Sequence, residues 1–215
     1  MNTQSFKLKV PAAIGAVSAE YYIPEKSKAL MTLAHGAGAG MDHSFMVGLA
    51  AALAEVGIAT LRFNFPFTEQ KKGRPDTPAV AHETIAAAIH HAHETYPSLR
   101  LFAAGKSFGG RMTSQYLAAN PRPEVKGIVF YGFPLHPAGK PGIERAEHLH
   151  QVAIPMLFLQ GTKDDLATWD LIESVCASLS KAKLVKIEGA NHMFKAGKKE
   201  FMSLLVQETR DWVLR

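Results

Sequence analysis

The chain has 215 residues, 47% hydrophobic and 20% charged, enough to bury one sizeable core, and it reads as a single domain spanning 1–215. Its formal charge of +5 is spread along the sequence; the densest cluster, Lys195 with Lys198 and Lys199, reads as a solvated face of the last helical segment, so no nucleic-acid partner is expected. One cysteine, Cys176, excludes an intramolecular disulfide, the N-terminus lacks a secretory pattern and no stretch approaches 18 uninterrupted apolar residues, so the expectation is a cytoplasmic protein without a membrane span.

Apolar runs alternate with helix-period segments, the pattern of a mostly parallel sheet covered by helices on both faces. Residues 5–10 and 16–23 read as two antiparallel opening strands, and 29–34 as the first buried parallel strand. Phe45, Leu49, Leu53 and Val56 recur at helical spacing in 44–56, with Ser44 placed to cap. Residues 58–63 form the next strand. Thr77-Pro78, a cap followed by proline at the first helical position, opens a helix to about residue 95. Further strands are expected at 99–104, 127–131, 156–160 and 184–187, and further helices at 108–120, 168–179 and 198–213. Residues 132–142, with Pro134, Pro137 and Pro141, form a long loop, too short for a separate cap domain.

Gly105-Lys106-Ser107-Phe108-Gly109 lies between a strand and a helix, the setting of a sharp turn that exposes a serine hydroxyl. A Cβ at either glycine of such a turn would strike the neighbouring strand or helix. Serine is a poor nucleophile unless a base and a group that fixes the base's tautomer lie nearby. Two downstream segments qualify, Gln160-Gly-Thr-Lys-Asp164-Asp165 and Gly189-Ala-Asn-His192-Met-Phe, both at the carboxyl ends of strands where ligands bind in open parallel sheets. The order Ser107, Asp164, His192 is the one this architecture uses. The small residues of His35-Gly36-Ala37-Gly38-Ala39-Gly40 would let backbone amides approach a negatively charged oxygen; the donors expected are the N–H groups of Phe108 and Ala37, with Gly38 the alternative to Ala37. This loop lacks the Gly-Lys-Ser/Thr ending of a phosphate cradle.

With these motifs in place, the chain resembles the α/β-hydrolase superfamily over nearly its whole length. It is most similar to the lidless dienelactone-hydrolase-like branch, and within it to predicted serine hydrolases that share the Ala-His-Gly-Ala-Gly-Ala-Gly run found here at 34–40. The resemblance implies a three-layer α/β-hydrolase fold with about seven to eight strands and no cap. It also implies that Ser107 attacks a carbonyl, that His192 acts as base and then acid, and that Asp164 orients His192. By the superfamily's spacing, three residues after the strand-ending Gly161, Asp164 is preferred to Asp165. Dienelactone hydrolases carry cysteine at the turn, so their lactonase activity is not implied for a chain with Ser107. Eukaryotic relatives of the set include a subunit of a chromatin acetyltransferase complex, which makes a non-catalytic interaction module the alternative to an enzyme.

Other residues are less telling. His90, His91 and His93 look like a metal cluster, yet only His90 and His93 share a helix face and no further ligand accompanies them; no metal and no cofactor are expected. Cys176, in an apolar helical stretch, reads as a core residue. Lys106 and Arg111 flank the turn and could draw an anionic substrate, but an ion pair or a solvated position is the simpler reading. In Arg62-Phe-Asn-Phe-Pro-Phe67, Phe65 or Phe67 is expected to line a substrate pocket, with core packing as the rival role. The expected activity is hydrolysis of an ester, thioester or similar acyl bond in a small-molecule substrate, falling as pH drops through about 6.5, the ordinary histidine value. Specificity among such substrates lives in loop geometry rather than in the motifs themselves.

Overall fold

The computed structural model describes residues 2–11 and 14–215. Eight strands form one sheet in the order β1-β2-β4-β3-β5-β6-β7-β8: β1 Asn2–Lys9, β2 Ala16–Ile23, β3 Ala29–Ala34, β4 Ile58–Phe63, β5 Arg100–Lys106, β6 Val125–Tyr131, β7 Met156–Gly161 and β8 Ala182–Ile187. β1 pairs antiparallel with β2, and β2 antiparallel with β4; every other pairing is parallel.

Successive side chains of a strand point to opposite faces, so a continuous apolar run fills two cores at once. In β3, Leu30 and Ala34 pack on one face while Met31 and Leu33 pack on the other. β6 and β7 repeat this, with Ile128, Phe130 and Phe158 on the first face and Val129, Tyr131, Leu157 and Leu159 on the second. The first face is covered by α3 Pro78–Thr95, α4 Phe108–Ala119 and α5 Trp169–Ser178, through residues such as Ile85, Met112 and Ile172. α1 Ser44–Glu55 and α6 Met202–Val213 cover the second, through Met46, Leu49, Leu205 and Val213. This is the expected three-layer architecture, with no cap domain among the described residues.

The differences from expectation have local causes. β1 starts at Asn2, three residues early, because an edge strand pairs through its backbone and Asn2, Thr3 and Gln4 keep their polar side chains in solvent. The cap of α1 is His43, whose Nδ1 accepts from the Phe45 N–H at 3.2 Å, and Ser44 is the first helical residue. The lysine cluster is not on the last helix. Lys195–Ala196 (β9) and Lys199–Glu200 (β10) form a small antiparallel hairpin, closed by a Lys195–Glu200 ion pair at 2.7 Å, and α6 begins only at Met202. Two short elements carried no periodicity: α2 Pro66–Glu69, started by Pro66 and held by the Phe67 N–H donating to Asp76 at 2.8 Å, and a 3-10 helix at Glu144–Gln151.

Candidate active site

Parallel strands end on one edge of the sheet, and the loops after β3, β5, β7 and β8 meet there. Ser107 follows β5 directly and caps α4 at φ 51° and ψ −118°, a left-handed backbone that a residue with a Cβ adopts only at a cost. The flanking glycines make the turn possible. A Cβ on Gly105 would lie 2.3 Å from the Gly110 nitrogen, and one on Gly109 would lie 2.4 Å from the Ala34 oxygen. The chain therefore folds back tightly enough to press α4 against β3. Phe108 is the first residue of that helix, where a backbone N–H has no intrahelical partner.

After β7, Asp164 lies buried with three donors on its carboxylate. Oδ2 accepts from His192 Nδ1 at 2.7 Å and from Gln160 Nε2 at 2.6 Å, while Oδ1 accepts from the Leu166 N–H at 2.8 Å. Because an ionised carboxylate only accepts, Nδ1 of His192 carries its hydrogen and Nε2 keeps a lone pair. Of the two neighbouring carboxylates it is Asp164 that meets the His192 ring, while Asp165 is exposed. His192 stands on a turn after β8 that Asn191 ties together, its Oδ1 accepting from the N–H groups of Met193 at 2.9 Å and Lys195 at 3.1 Å. Its side chain is 19% exposed, open enough to meet a ligand.

The loop after β3 is set by a histidine that sequence reasoning had treated only as part of a small-residue run. His35 is fully buried; its Nε2 accepts from the Phe65 N–H at 3.0 Å, which places the ring hydrogen on Nδ1, and that hydrogen is donated to the Gly36 carbonyl at 2.8 Å. Burial pushes its pKa down to about 4, against a smaller upward pull from the Gly36 carbonyl, so the ring is neutral and works as a fixed bracket. Phe65 and Phe67 serve that bracket. Their rings lie edge-on to His35 at 5.0 and 5.5 Å and both also pack on Phe108, leaving them 0% and 3% exposed. The expected role in lining a substrate pocket is thus corrected to core packing, because Pro66 turns the chain into α2 and carries both rings beneath the loop.

A cavity of about 300 Å³ opens between this loop and the turn, walled by residues 36–39, by His43, Phe45 and Met46 near the start of α1, by Lys106 and Ser107, and by Leu166, His192 and Met193. Ala37 belongs to its wall and Ser107 and His192 share it. Lys106 departs from its expected solvated or ion-paired state: it is 6% exposed, and its Nζ has no hydrogen-bond partner among the described residues. Arg111 likewise forms no ion pair there, and its Nε is buried without a partner. Cys176 is buried and its thiol pushed up to about 12, far from a reactive thiolate. His91 is engaged structurally, with Nδ1 2.8 Å from the Tyr21 hydroxyl. Beyond His35, the residue that sequence reasoning left without a role is Gln160, whose Oε1 accepts from the Phe133 N–H at 2.9 Å while its amide donates to Asp164. The available signal was a glutamine closing an otherwise apolar strand.

Comparison with known proteins supports the same architecture. A family model described as an alpha/beta hydrolase domain matches residues 27–209. Among solved structures, an α/β serine hydrolase homologue from Coxiella burnetii superposes with a TM-score of 0.77 at 22% identity, covering 100% of this chain and 97% of that one. A dienelactone hydrolase from Anabaena variabilis gives 0.78 at 19%, covering 99% and 97%. A lidless serine hydrolase from Xanthomonas campestris gives 0.76 at 21%, covering 100% and 97%. Among curated proteins, a provisionally named phosphoribosyl transferase of Mycobacterium tuberculosis is 26% identical over 196 residues, covering 88% of this chain and 42% of that protein. The chain thus spans less than half the length of that relative. No helix among the described residues is long and apolar enough to cross a membrane.

Proposed function

Because the chain belongs to the alpha/beta hydrolase domain family, we propose that it is a serine hydrolase that cleaves an ester, thioester or similar acyl bond in a small molecule through an acyl-enzyme on Ser107. The observation that carries this reading is one cavity shared by Ser107, on its positive-φ turn, and His192, whose Nδ1 is committed to Asp164 at 2.7 Å. With the Nδ1 hydrogen held there, the Nε2 lone pair is the one free to take a proton.

In the proposed cycle, the Ser107 hydroxyl gives its proton to His192 Nε2 as Oγ bonds to the substrate's carbonyl carbon. The carbonyl π electrons move to oxygen, and the N–H groups of Phe108 and Ala37 stabilise the oxyanion. Collapse of this intermediate breaks the bond to the leaving group, which takes the proton from His192. Water then repeats the sequence on the acyl-enzyme, releasing the acid and restoring Ser107. Asp164 stabilises the transient imidazolium and preserves its tautomer. An open cavity without a cap suits small or accessible acyl groups. Labelling with a fluorophosphonate tests this directly: the wild-type protein should be labelled and Ser107→Ala should not, with loss of 4-nitrophenyl butyrate turnover in parallel. A folded wild-type protein that resists the probe and turns over no activated ester would instead be a scaffold that keeps the shape without the chemistry.

A further inference from the structure

Lys106 stands immediately before the proposed nucleophile, yet its environment resembles neither a surface lysine nor a structural ion pair. A methyl group built on Gly132 would come within 3.3 Å of Lys106 Nζ and within 3.5 Å of two atoms of the His192 ring, so amine and imidazole crowd the same spot. The Phe194 ring centroid is 5.5 Å from Nζ. Asp164, the carboxylate whose charge acts on this amine, has its oxygens engaged by Gln160, His192 and the Leu166 amide. Among the described residues that wall the cavity, none is acidic. A buried amine without a hydrogen-bond partner is costly unless something else completes it. Among the described residues Nζ has only the face of the Phe194 ring; it is closed to solvent while its stem lies beside Gly36 at the cavity wall, so it must turn on that stem to meet a ligand.

We propose that the cavity beside Ser107 takes an acyl substrate bearing a carboxylate, and that Lys106 is the group that binds that carboxylate. The inference rests on the hydrolase reading and adds the substrate's chemical class. Burial pushes the amine's pKa down to about 7, against a smaller upward pull from Asp164, so it is poised between neutral and charged forms near neutral pH. An incoming anion supplies the missing partner and favours the ammonium, whereas a neutral substrate leaves the amine as it is. The net positive charge of the chain favours the approach of such an anion.

The test compares esters that differ only by carboxylate against methyl. 4-Nitrophenyl hemiglutarate against 4-nitrophenyl valerate places the difference on the acyl side, and carboxymethyl valerate against ethyl valerate places it on the alcohol side. In at least one pair the kcat/KM ratio should favour the anion by about ten- to a hundredfold, the range of a hydrogen bond to a charged group, and Lys106→Met should bring that ratio towards one. A ratio near one for both pairs in the wild type, or a preference that survives Lys106→Met, overturns the proposal. Should that variant not fold, the wild-type ratio should fall as pH rises through about 7. Of the titratable groups facing this amine, His192 acts on both esters alike and Asp164 is buried behind it, while His43→Gln controls for the remaining imidazole on the cavity wall. A ratio flat from pH 6 to 9, or a step that disappears in His43→Gln, counts against Lys106. Calorimetry on Ser107→Ala separates the subsite from the hydrolase reading. In at least one of two pairs, monomethyl glutarate against methyl valerate or carboxymethyl valerate against ethyl valerate, the anionic ester should bind more tightly even if neither is ever cleaved, and equal affinities within both pairs overturn the subsite.

Discussion

Replacing Gln160 with leucine removes one side chain that serves two buried polar groups. Gln160 is fully buried, accepts from the Phe133 N–H at 2.9 Å and donates to Asp164 at 2.6 Å. Leucine occupies nearly the same volume, so the change is mainly in hydrogen bonding. Losing the bond to a carboxylate costs about 1.5–3 kcal/mol, and stranding the Phe133 N–H costs about 1–3 kcal/mol more. Burying leucine's extra apolar surface returns about 1–2 kcal/mol. At the middle of these ranges the net is a loss of about 3 kcal/mol, which for a domain of this size lowers the Tm by roughly 6–12 °C. Because Asp164 keeps only His192 and the Leu166 amide, the imidazole is also held less firmly, and kcat for 4-nitrophenyl butyrate should fall on the order of tenfold. Gln160→Glu separates the two contacts: it keeps an acceptor for Phe133 but sets a second carboxyl against Asp164, where two like charges cannot both ionise cheaply. Thermal melts and steady-state kinetics on both variants form the assay. A Gln160→Leu protein with wild-type Tm and wild-type kcat would refute the reasoning.

Asp164→Asn should cut kcat by up to about 10⁴-fold, while Asp165→Ala, at an exposed position, should stay within about twofold; the same kinetic assay on both checks the choice between them. Phe65→Ala should behave as a core truncation, losing about 3–5 kcal/mol in urea unfolding, and a specificity change without that loss would return the ring to the pocket. Gly109→Ala forces a Cβ to 2.4 Å from the Ala34 oxygen and should cost about 3 kcal/mol or more in the same measurement. His35 and His148 are both depressed to about 4 by burial, so the unfolded chain binds protons that the folded chain refuses. Stability is therefore fully present above about pH 6.5 and declines as pH falls from there towards 4; urea midpoints that stay level between pH 6.5 and 4.5 would contradict this.

The order of strands and helices was readable because parallel strands buried on both faces are continuous apolar runs, and because Pro78 and the Gly105–Gly109 spacing mark boundaries for steric reasons. Ser107, Asp164 and His192 could be named because each sits at the end of such a run. The less legible features lack that signature. His35 and Gln160 act through backbone groups supplied by β4's exit and by the loop after β6, and a hydrogen bond to a distant amide leaves no periodicity in the sequence. Phe65 and Phe67 were misplaced because an aromatic at the sheet edge can face either the cavity or the floor beneath it, and α2, four residues long, decides which. Lys106 looked like a surface charge because composition does not reveal that Gly132 and Phe194 close over it. The hairpin at 195–200 is hidden because Lys195, Lys198 and Lys199 fall at i, i+3 and i+4, the spacing of one helix face, while Gly197 turns the chain at φ 59°.

β5 and β8 are separated in the sheet by β6 and β7, and the groups on their ends come together only after all four strands are in register. A ribosome-bound fragment that stops short of β8, or a native molecule whose last strand has peeled away, still has the serine but not the imidazole that would arm it. If Ser107 is the nucleophile proposed above, its chemical reactivity would therefore report completion of the sheet from β5 to β8, and the time course of its recovery after dilution from denaturant would follow that long-range pairing.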